Sequence, residues 1–285
     1  MNVNLIDGKK VSKELQIKLK KRVSSLRQKG ILPKLAVILV GNNAASKVYV
    51  RNKQITAEKL GIETLNINFD KNISENELIK KIDELNNDAT VDGILVQLPL
   101  PKQIDESKVT QRILPNKDVD GFHPVNMGKL FTNEIGPQPC TPRGIMELLK
   151  YYNLEISGKN VVIIGRSNIV GRPMAAFMLN EDATVTITHS KTKNLKKITR
   201  QADIVIVAIG KAEFIDATYL KDDAIVIDVG MNRNKAGKLV GDVNQTSVSK
   251  KVKYLTPVPG GVGPMTITML MQQTIELAEK RINNE

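Results

Sequence analysis

The chain has no tryptophan, one cysteine and two histidines in 285 residues, and aromatics make up only 4% of it. A single cysteine, Cys140, rules out an internal disulfide. Charged residues begin at Asp7, Lys9 and Lys10, which leaves no apolar export core at the start. The expected compartment is therefore the reducing cytoplasm. His123 and His189 are too few and too far apart for a zinc site, and no structural metal is expected. No apolar run approaches the roughly 20 residues of a membrane span, so no membrane association is expected.

The scarcity of aromatics also bears on the net charge of +12, from 42 basic and 30 acidic residues. A basic chain invites a nucleic-acid reading, yet base-stacking platforms need aromatic side chains. The densest basic run, Lys18-Leu19-Lys20-Lys21-Arg22, is interrupted by an apolar residue and reads as one face of an amphipathic helix. A solvated surface, with some attraction for an anionic small molecule, fits better than a nucleic-acid partner.

What is present is an alternation of helix and strand. Val11, Leu15, Leu19, Val23 and Leu26 mark one helix face that ends at Gly30. The apolar run from Leu35 to Val40 is a buried parallel strand closing on Gly41. A helix ending at Gly61, a strand from Ile62 to Phe69 and a helix from Glu75 to Leu85 follow. A short strand then runs from Val91 into Gln97-Leu98-Pro99. A proline- and glycine-bearing stretch, Pro115 to Pro142, separates this half from the next. Beyond it come a helix from Arg143 to Tyr152 and strands at Val161–Gly165, Thr184–Thr188, Ile204–Ile209 and Ala224–Val229. A rigid turn, Pro257 to Pro264, precedes a last helix from Met265 to Lys280. The expected fold class is α/β in two domains, each built on a parallel sheet.

Gly165-Arg166-Ser167-Asn168-Ile169-Val170-Gly171-Arg172-Pro173 lies between an apolar strand and a helix. Glycine lets a phosphate approach the backbone, and a helix start offers free N–H groups. The spacing departs from G-x-G-x-x-G because Ser167 takes the place of the second glycine. The next strand ends Thr188-His189-Ser190-Lys191 with no carboxylate for a ribose hydroxyl. A hydroxyl and a cation, with Arg166 nearby, suit a 2′-phosphate, so the expected cofactor is NADP rather than NAD. Gly210, after the third strand, would let a dinucleotide lie close.

In the first half, Tyr49 and Lys53 stand four apart and share a helix face. A lysine serves as acid or base only if its pKa falls from about 10.4 toward neutrality. Gln97 could orient its amine, and Asp120 could hold a polar heterocycle. Singly, each has a bland reading: Lys53 as a solvated lysine, Tyr49 as a core or rim aromatic, Asp120 as a turn residue.

Jointly and in this order the motifs carry more. Ser46…Tyr49-Val50-x-x-Lys53, Gly93 to Pro101 and Lys117-Asp118-Val119-Asp120-Gly121 lead the series. Pro139-Cys140-Thr141-Pro142, the Gly165 to Pro173 turn, and Thr256 to Thr266 complete it. With these motifs the chain resembles the bifunctional methylenetetrahydrofolate dehydrogenase/methenyltetrahydrofolate cyclohydrolases over nearly its whole length. One departure is Ile55, where the family often has a second lysine.

The resemblance implies a folate-binding catalytic domain over 1–139, an NADP-binding Rossmann-type domain over 140–264, and a C-terminal helix, 265–285, packing back on the first. It implies a folate substrate in a cleft between the domains, and a homodimer. By position it makes Lys53 the acid/base of the hydrolytic step, tuned by Gln97. Tyr49 would position the reacting carbon and Asp120 would bind the pterin edge. Leu98, Pro99, Pro259, Gly260 and Gly261 would complete the folate site. Arg166, Ser167 and Ser190 would take cofactor phosphates at the Gly165 turn, and Thr141, Ile169 and Val243 would line the nicotinamide. A dehydrogenase of another two-domain family, acting on a shikimate-like hydroxy acid, accounts for the second half alone.

Overall fold

The computed structural model describes residues 3–282; residues 1, 2 and 283–285 of the expected domain ranges lie outside the described residues. Two compact units make up the chain: Met1–Lys13 with Thr141–Thr266, and Glu14–Cys140 with Ile267–Glu285.

In chain order, β1 (Asn4–Leu5) and α1 (Gly8–Gln28) lead to β2 (Lys34–Val40), α2 (Ala44–Leu60), β3 (Glu63–Phe69), α3 (Glu75–Asn87) and β4 (Gly93–Val96). Three helices follow, α4 (Glu106–Arg112), α5 (Pro124–Phe131) and α6 (Cys140–Tyr151). Then come β5 (Asn160–Ile164), α7 (Gly171–Asn180), β6 (Thr184–Thr188), α8 (Leu195–Thr199), β7 (Ile204–Val207) and β8 (Ile225–Asp228). The chain closes with β9 (Asn232–Arg233), β10 (Leu239–Val240), α9 (Gln245–Val248), β11 (Tyr254–Leu255) and α10 (Val262–Ile282).

Local chemistry sets several boundaries. The Asn43 side chain accepts a hydrogen bond from the Ser46 N–H and starts α2, and Gly61 ends it in the left-handed region at φ 85°. Ser74 and Glu77 form a reciprocal capping box on α3. His123 caps α5 through Nδ1, which accepts from the Val125 N–H, with Pro124 in the first turn.

The smaller sheet is parallel and ordered β3-β2-β4, with Leu35 opposite Gly93 and Ile38 opposite Val96. Ala36, Ile38 and Val40 of β2 pack with Ile94 and Val96 of β4 and with Leu78, Ile82 and Leu85 of α3. The larger sheet runs β1-β11-β8-β7-β5-β6, all parallel. Its core joins Val162, Ile164, Val205, Val207 and Val226 with Ile215, Leu220, Val243 and Val248. Both sheets share one topological device. The chain moves outward from β2 to β3 and returns past β2 to β4; it does the same from β5 to β6 and back to β7. Such a reversal leaves a crevice beyond the carboxyl ends of the central strands, where ligands of open α/β sheets bind.

Several features differ from the sequence expectation, among them the short α4, α8, α9 and the β9–β10 pair, which it did not mark. The stretch read as an irregular separator holds α5, a short helix whose Gly128 hides its periodicity. Two-residue strands β1 and β11 widen the larger sheet; runs that short carry no alternation to detect. The last helix begins at Val262 rather than Met265, so Pro264 lies in its first turn, where its missing N–H leaves no bond unmade. No described helix is long and apolar enough to cross a membrane.

Candidate active site

The first site element is α2. Tyr49 and Lys53 sit one turn apart on it, as their spacing requires, and their environments differ. Lys53 is buried, 8% exposed, and Nζ donates to Gln97 Oε1 at 3.0 Å. Gln97 follows the end of β4, and its Nε2 donates to the Leu98 carbonyl at 2.8 Å, which fixes the amide so that its oxygen faces the amine. Lys53 makes no ion pair among the described residues. The amine is thus held by a neutral amide rather than locked to a carboxylate. Tyr49 is half-buried, and burial raises its phenol above the ordinary value. The Leu98–Pro99 peptide is cis, with Leu98 partly buried and Pro99 exposed beside Gln97.

Asp120 lies on the loop after α4. Burial pushes its carboxyl up to about 6; the nearby Lys53 charge opposes that rise and Asp118 adds to it. It retains some exposure, as a binding group must. The loop is shaped by Asp118, which the sequence reading left without a role. Asp118 is buried, and its two oxygens accept from the Gly121 and His123 N–H groups at 3.0 and 2.8 Å and from Asn126 Nδ2 at 2.9 Å. The Asp-Val-Asp-Gly spelling carried that signal, since an aspartate closing a local turn on later N–H groups is an expected motif. Gly121 takes φ 71°, and a Cβ there would lie 2.3 Å from the Gln138 carbonyl carbon. Lys53, Gln97, Tyr49 and Asp120 all belong to one unit.

The cofactor residues belong to the other unit, at the β5 and β7 ends. Gly165 closes β5 at φ 124°, and a Cβ on it would fall 2.2 Å from the Ala208 carbonyl oxygen. At Gly171, the start of α7, a Cβ would meet the Gly165 carbonyl oxygen at 2.3 Å. Both glycines are therefore demanded by close backbone approach, the geometry a phosphate turn uses. Val170, which precedes α7, gives the helix no side-chain cap; Ser167 Oγ accepts from the Val170 N–H at 3.2 Å. Arg166, Ser167 and Ile169 are exposed on the turn. Ser190 is exposed just past β6, on a loop closed by the His189 N–H donating to Thr192 Oγ1 and by Lys191 N–H donating to His189 Nδ1. The Thr188 hydroxyl is turned inward and donates to the Ile163 carbonyl. These residues fit a dinucleotide carrying an extra phosphate: glycines bracket the turn, and a cation and hydroxyl stand where a carboxylate would repel it.

Other expected cofactor residues have distinct settings. Thr141 is partly buried, its hydroxyl 3.0 Å from that of Thr266. Val243 is only 1% exposed and packs into the core of its unit, so the structure places its side chain among apolar residues rather than on the surface. Gly210 is exposed at φ 64° in a turn held by Asp242. The Ile209, Gly210 and Lys211 N–H groups all donate to that carboxylate, at 2.7, 3.0 and 2.7 Å. Asp228 supports the next layer by accepting from the Gly230, Asp242 and Val243 N–H groups. Burial raises Asp228 to about 7 despite those donors, with the Asp242 charge adding to the rise. Neither aspartate was assigned from the sequence, where Asp-Val-Gly and Gly-Asp-Val look like loop punctuation. In the same unit the Lys9 N–H donates to the Gly260 carbonyl at 3.0 Å, and the Val258–Pro259 peptide is cis. Pro259 is exposed, whereas Gly260 and Gly261 are buried. A Cβ on Gly8 would lie 1.8 Å from the Gly261 carbonyl oxygen. No cluster of metal-ligating side chains occurs among the described residues.

Comparison with known proteins gives the same picture from a separate direction. The family model described as tetrahydrofolate dehydrogenase/cyclohydrolase, catalytic domain, matches residues 6–120, and its NAD(P)-binding domain counterpart matches residues 139–282. The chain is 65% identical over 285 residues to the bifunctional protein FolD of Ligilactobacillus salivarius, covering 100% of each. Among solved structures it is similar to the bifunctional FolD dehydrogenase/cyclohydrolase of Campylobacter jejuni, at 50% identity and TM-score 0.97, covering 98% of this chain and 99% of that one. The Trypanosoma brucei enzyme, complexed with NADP cofactor and inhibitor, matches at 38% identity and TM-score 0.94 over 99% of both chains.

Proposed function

The chain belongs to the tetrahydrofolate dehydrogenase/cyclohydrolase family, and on that premise we propose how its side chains divide the work. The enzyme oxidises 5,10-methylenetetrahydrofolate to the 5,10-methenyl cation with NADP⁺, then hydrolyses that cation to 10-formyltetrahydrofolate. When bound, NADP⁺ supplies the acceptor for the hydride that leaves the one-carbon bridge. Gly165, Arg166, Ser167 and Ser190 hold its phosphates, and Gly210 lets the dinucleotide lie close. Thr141 and Ile169 line the nicotinamide side, where Val243 can contribute only its backbone.

Lys53 acts in the hydrolytic step. The methenyl intermediate is a cation, so an ammonium beside it would be repelled, whereas a neutral amine can accept a proton. As water adds to the one-carbon unit and the C–O bond forms, Lys53 takes a proton from that water. The second proton on the new oxygen moves to N5 as the C–N5 bond breaks, leaving the formyl group on N10 and one proton released overall. Gln97 aims the amine, and Tyr49 positions the folate ring system. Asp120 in its ionised form accepts paired N–H donors from the pterin edge. Leu98, Pro99, Pro259, Gly260 and Gly261 shape the rest of the folate surface. The carrying observation is the buried Lys53 amine, held by the Gln97 amide and free of any ion pair among the described residues. The proposal also takes the protein to be a cytoplasmic homodimer, in keeping with its lone, buried cysteine and its family; light scattering checks the dimer by a mass twice that of the chain.

Mixing the protein with methylenetetrahydrofolate and NADP⁺ tests the reading. Absorbance should report NADPH together with a methenyl species that then decays. No decay of added methenyltetrahydrofolate above the buffer rate, or turnover with NAD⁺ equal to that with NADP⁺, would overturn it.

A further inference from the structure

Gln273 is a polar residue in the middle of α10, 1% exposed, and neither reaction assigns it a part. A buried primary amide is costly unless its groups are bonded, so its partners indicate its purpose. Nε2 donates to the Val119 carbonyl at 2.7 Å and to the Gln138 carbonyl at 3.1 Å, while Oε1 accepts from the Gln138 N–H at 2.8 Å. Val119 is the residue immediately before Asp120. Gln138 is the wall against which Gly121, the residue immediately after, is packed. One side chain thus joins the backbone on one side of Asp120 to the surface that confines the other. The Cys140 thiol adds a second donor to the Val119 carbonyl at 3.2 Å, and β4 leaves room for this segment only because Gly93 has no Cβ, which would lie 2.1 Å from Val119 Cγ1.

We infer that Gln273 is a positioning residue that acts through Asp120, fixing where that carboxylate meets the folate. The inference rests on Asp120 being a folate-binding group. Asn126 of α5 ties Asp118, and Cys140 of α6 touches the Val119 carbonyl. Gln273, however, is the side chain that bonds both Val119 and Gln138 and so holds the two flanks of Asp120 to one helix. That is the rigid placement a two-point contact with a planar heterocycle requires. A glutamine is suited to this because one planar amide both donates and accepts; leucine fills similar space and does neither.

The test uses Gln273→Leu and Gln273→Glu in the full-length protein, with thermal unfolding to confirm that each is folded. Hydrogen exchange at the Gly121 and His123 amides should speed up in both variants. Tetrahydrofolate binding should weaken about threefold to fivefold in Gln273→Leu, no more than in Asp120→Asn, while NADP⁺ binding changes less than about twofold, a pattern a general loss of stability would not produce. In an Asp120→Asn background, Gln273→Leu should add little further loss, because two residues acting through one contact are not additive. Unchanged exchange at Gly121, or the full single-variant loss persisting in that background, overturns the inference while leaving Asp120 as the folate group. Asp120→Asn with unchanged tetrahydrofolate affinity instead removes the Asp120 assignment itself, and faster exchange in Gln273→Leu would then still report the loop restraint.

Discussion

The β2–β4 rim and the β5–β7 rim are the same topological device carrying different kinds of group. Beyond β2 and β4 the proposed working groups are side chains: an amine held by an amide, that amide fixed by the Leu98 carbonyl, and a buried carboxyl. Beyond β5 and β7 much of the site is backbone, brought close by Gly165 and Gly171 and held in place by Asp242. Proton transfer needs a titratable atom within reach of the reacting group. A phosphate needs N–H groups and space, which a bare backbone supplies best. One rim should therefore be sensitive to a change of functional group that keeps volume, and the other to added volume that keeps chemistry.

Lys53→Met tests the first half of that contrast most severely. Cyclohydrolase turnover should fall by about 10²–10⁴-fold, the span of a lost acid/base, while dehydrogenase turnover is reduced much less. Stopped-flow decay of methenyltetrahydrofolate and NADPH formation measure the two separately; equal and complete loss of both in a folded variant would undo the division. Gly165→Ala, a single added methyl, tests the other rim. Its Cβ meets the backbone oxygen of Ala208, which cannot swing aside, and φ 124° disfavours any side chain. A penalty of about 1–3 kcal/mol should appear as weaker NADP⁺ binding, with tetrahydrofolate affinity preserved. Calorimetry reads both ligands, and NADP⁺ affinity within twofold of the parent would refute the packing argument.

Asp120→Asn should have the smallest effect and sharpens the comparison by pH. Replacing a charge-assisted contact with a neutral one should weaken folate binding by about 1 kcal/mol, or roughly fivefold, at pH 8. With its carboxyl raised to about 6, the parent should lose folate affinity as pH falls through that value, and the variant should not. Parallel pH profiles for the two proteins would remove Asp120 from the site. Stability runs the other way. A carboxyl raised by burial contributes fully to folding below its ordinary value, and that contribution is lost as pH rises through about 6. The ionised state proposed to bind folate is thus the one that folding disfavours.

How much of this was legible depended on whether the cause was local. Tyr49 and Lys53 share a face because of helical spacing, and Gly61 ends their helix for reasons contained in one residue. The turn from Gly165 to Gly171 showed itself through its glycines and its place between strand and helix. By contrast, nothing near Gln273 in the chain marks it as more than one polar residue in a mostly apolar helix, because its partners lie at Val119 and Gln138. Asp228 and Asp242 were hidden for the same reason: the N–H groups that give Asp242 its role belong to residues 209–211.

Composition and periodicity were enough to settle the α/β class and the two-part organisation, since each is written in residue types at short spacing. The nature of the reaction followed instead from the resemblance that the ordered motifs carry. Only the folded chain decided that Lys53 is buried against an amide rather than solvated, that Asp120 is held near a pKa of 6, and that the core claims Val243. Burial and electrostatic environment depend on atoms contributed by distant segments, and no stretch of sequence contains its own surroundings.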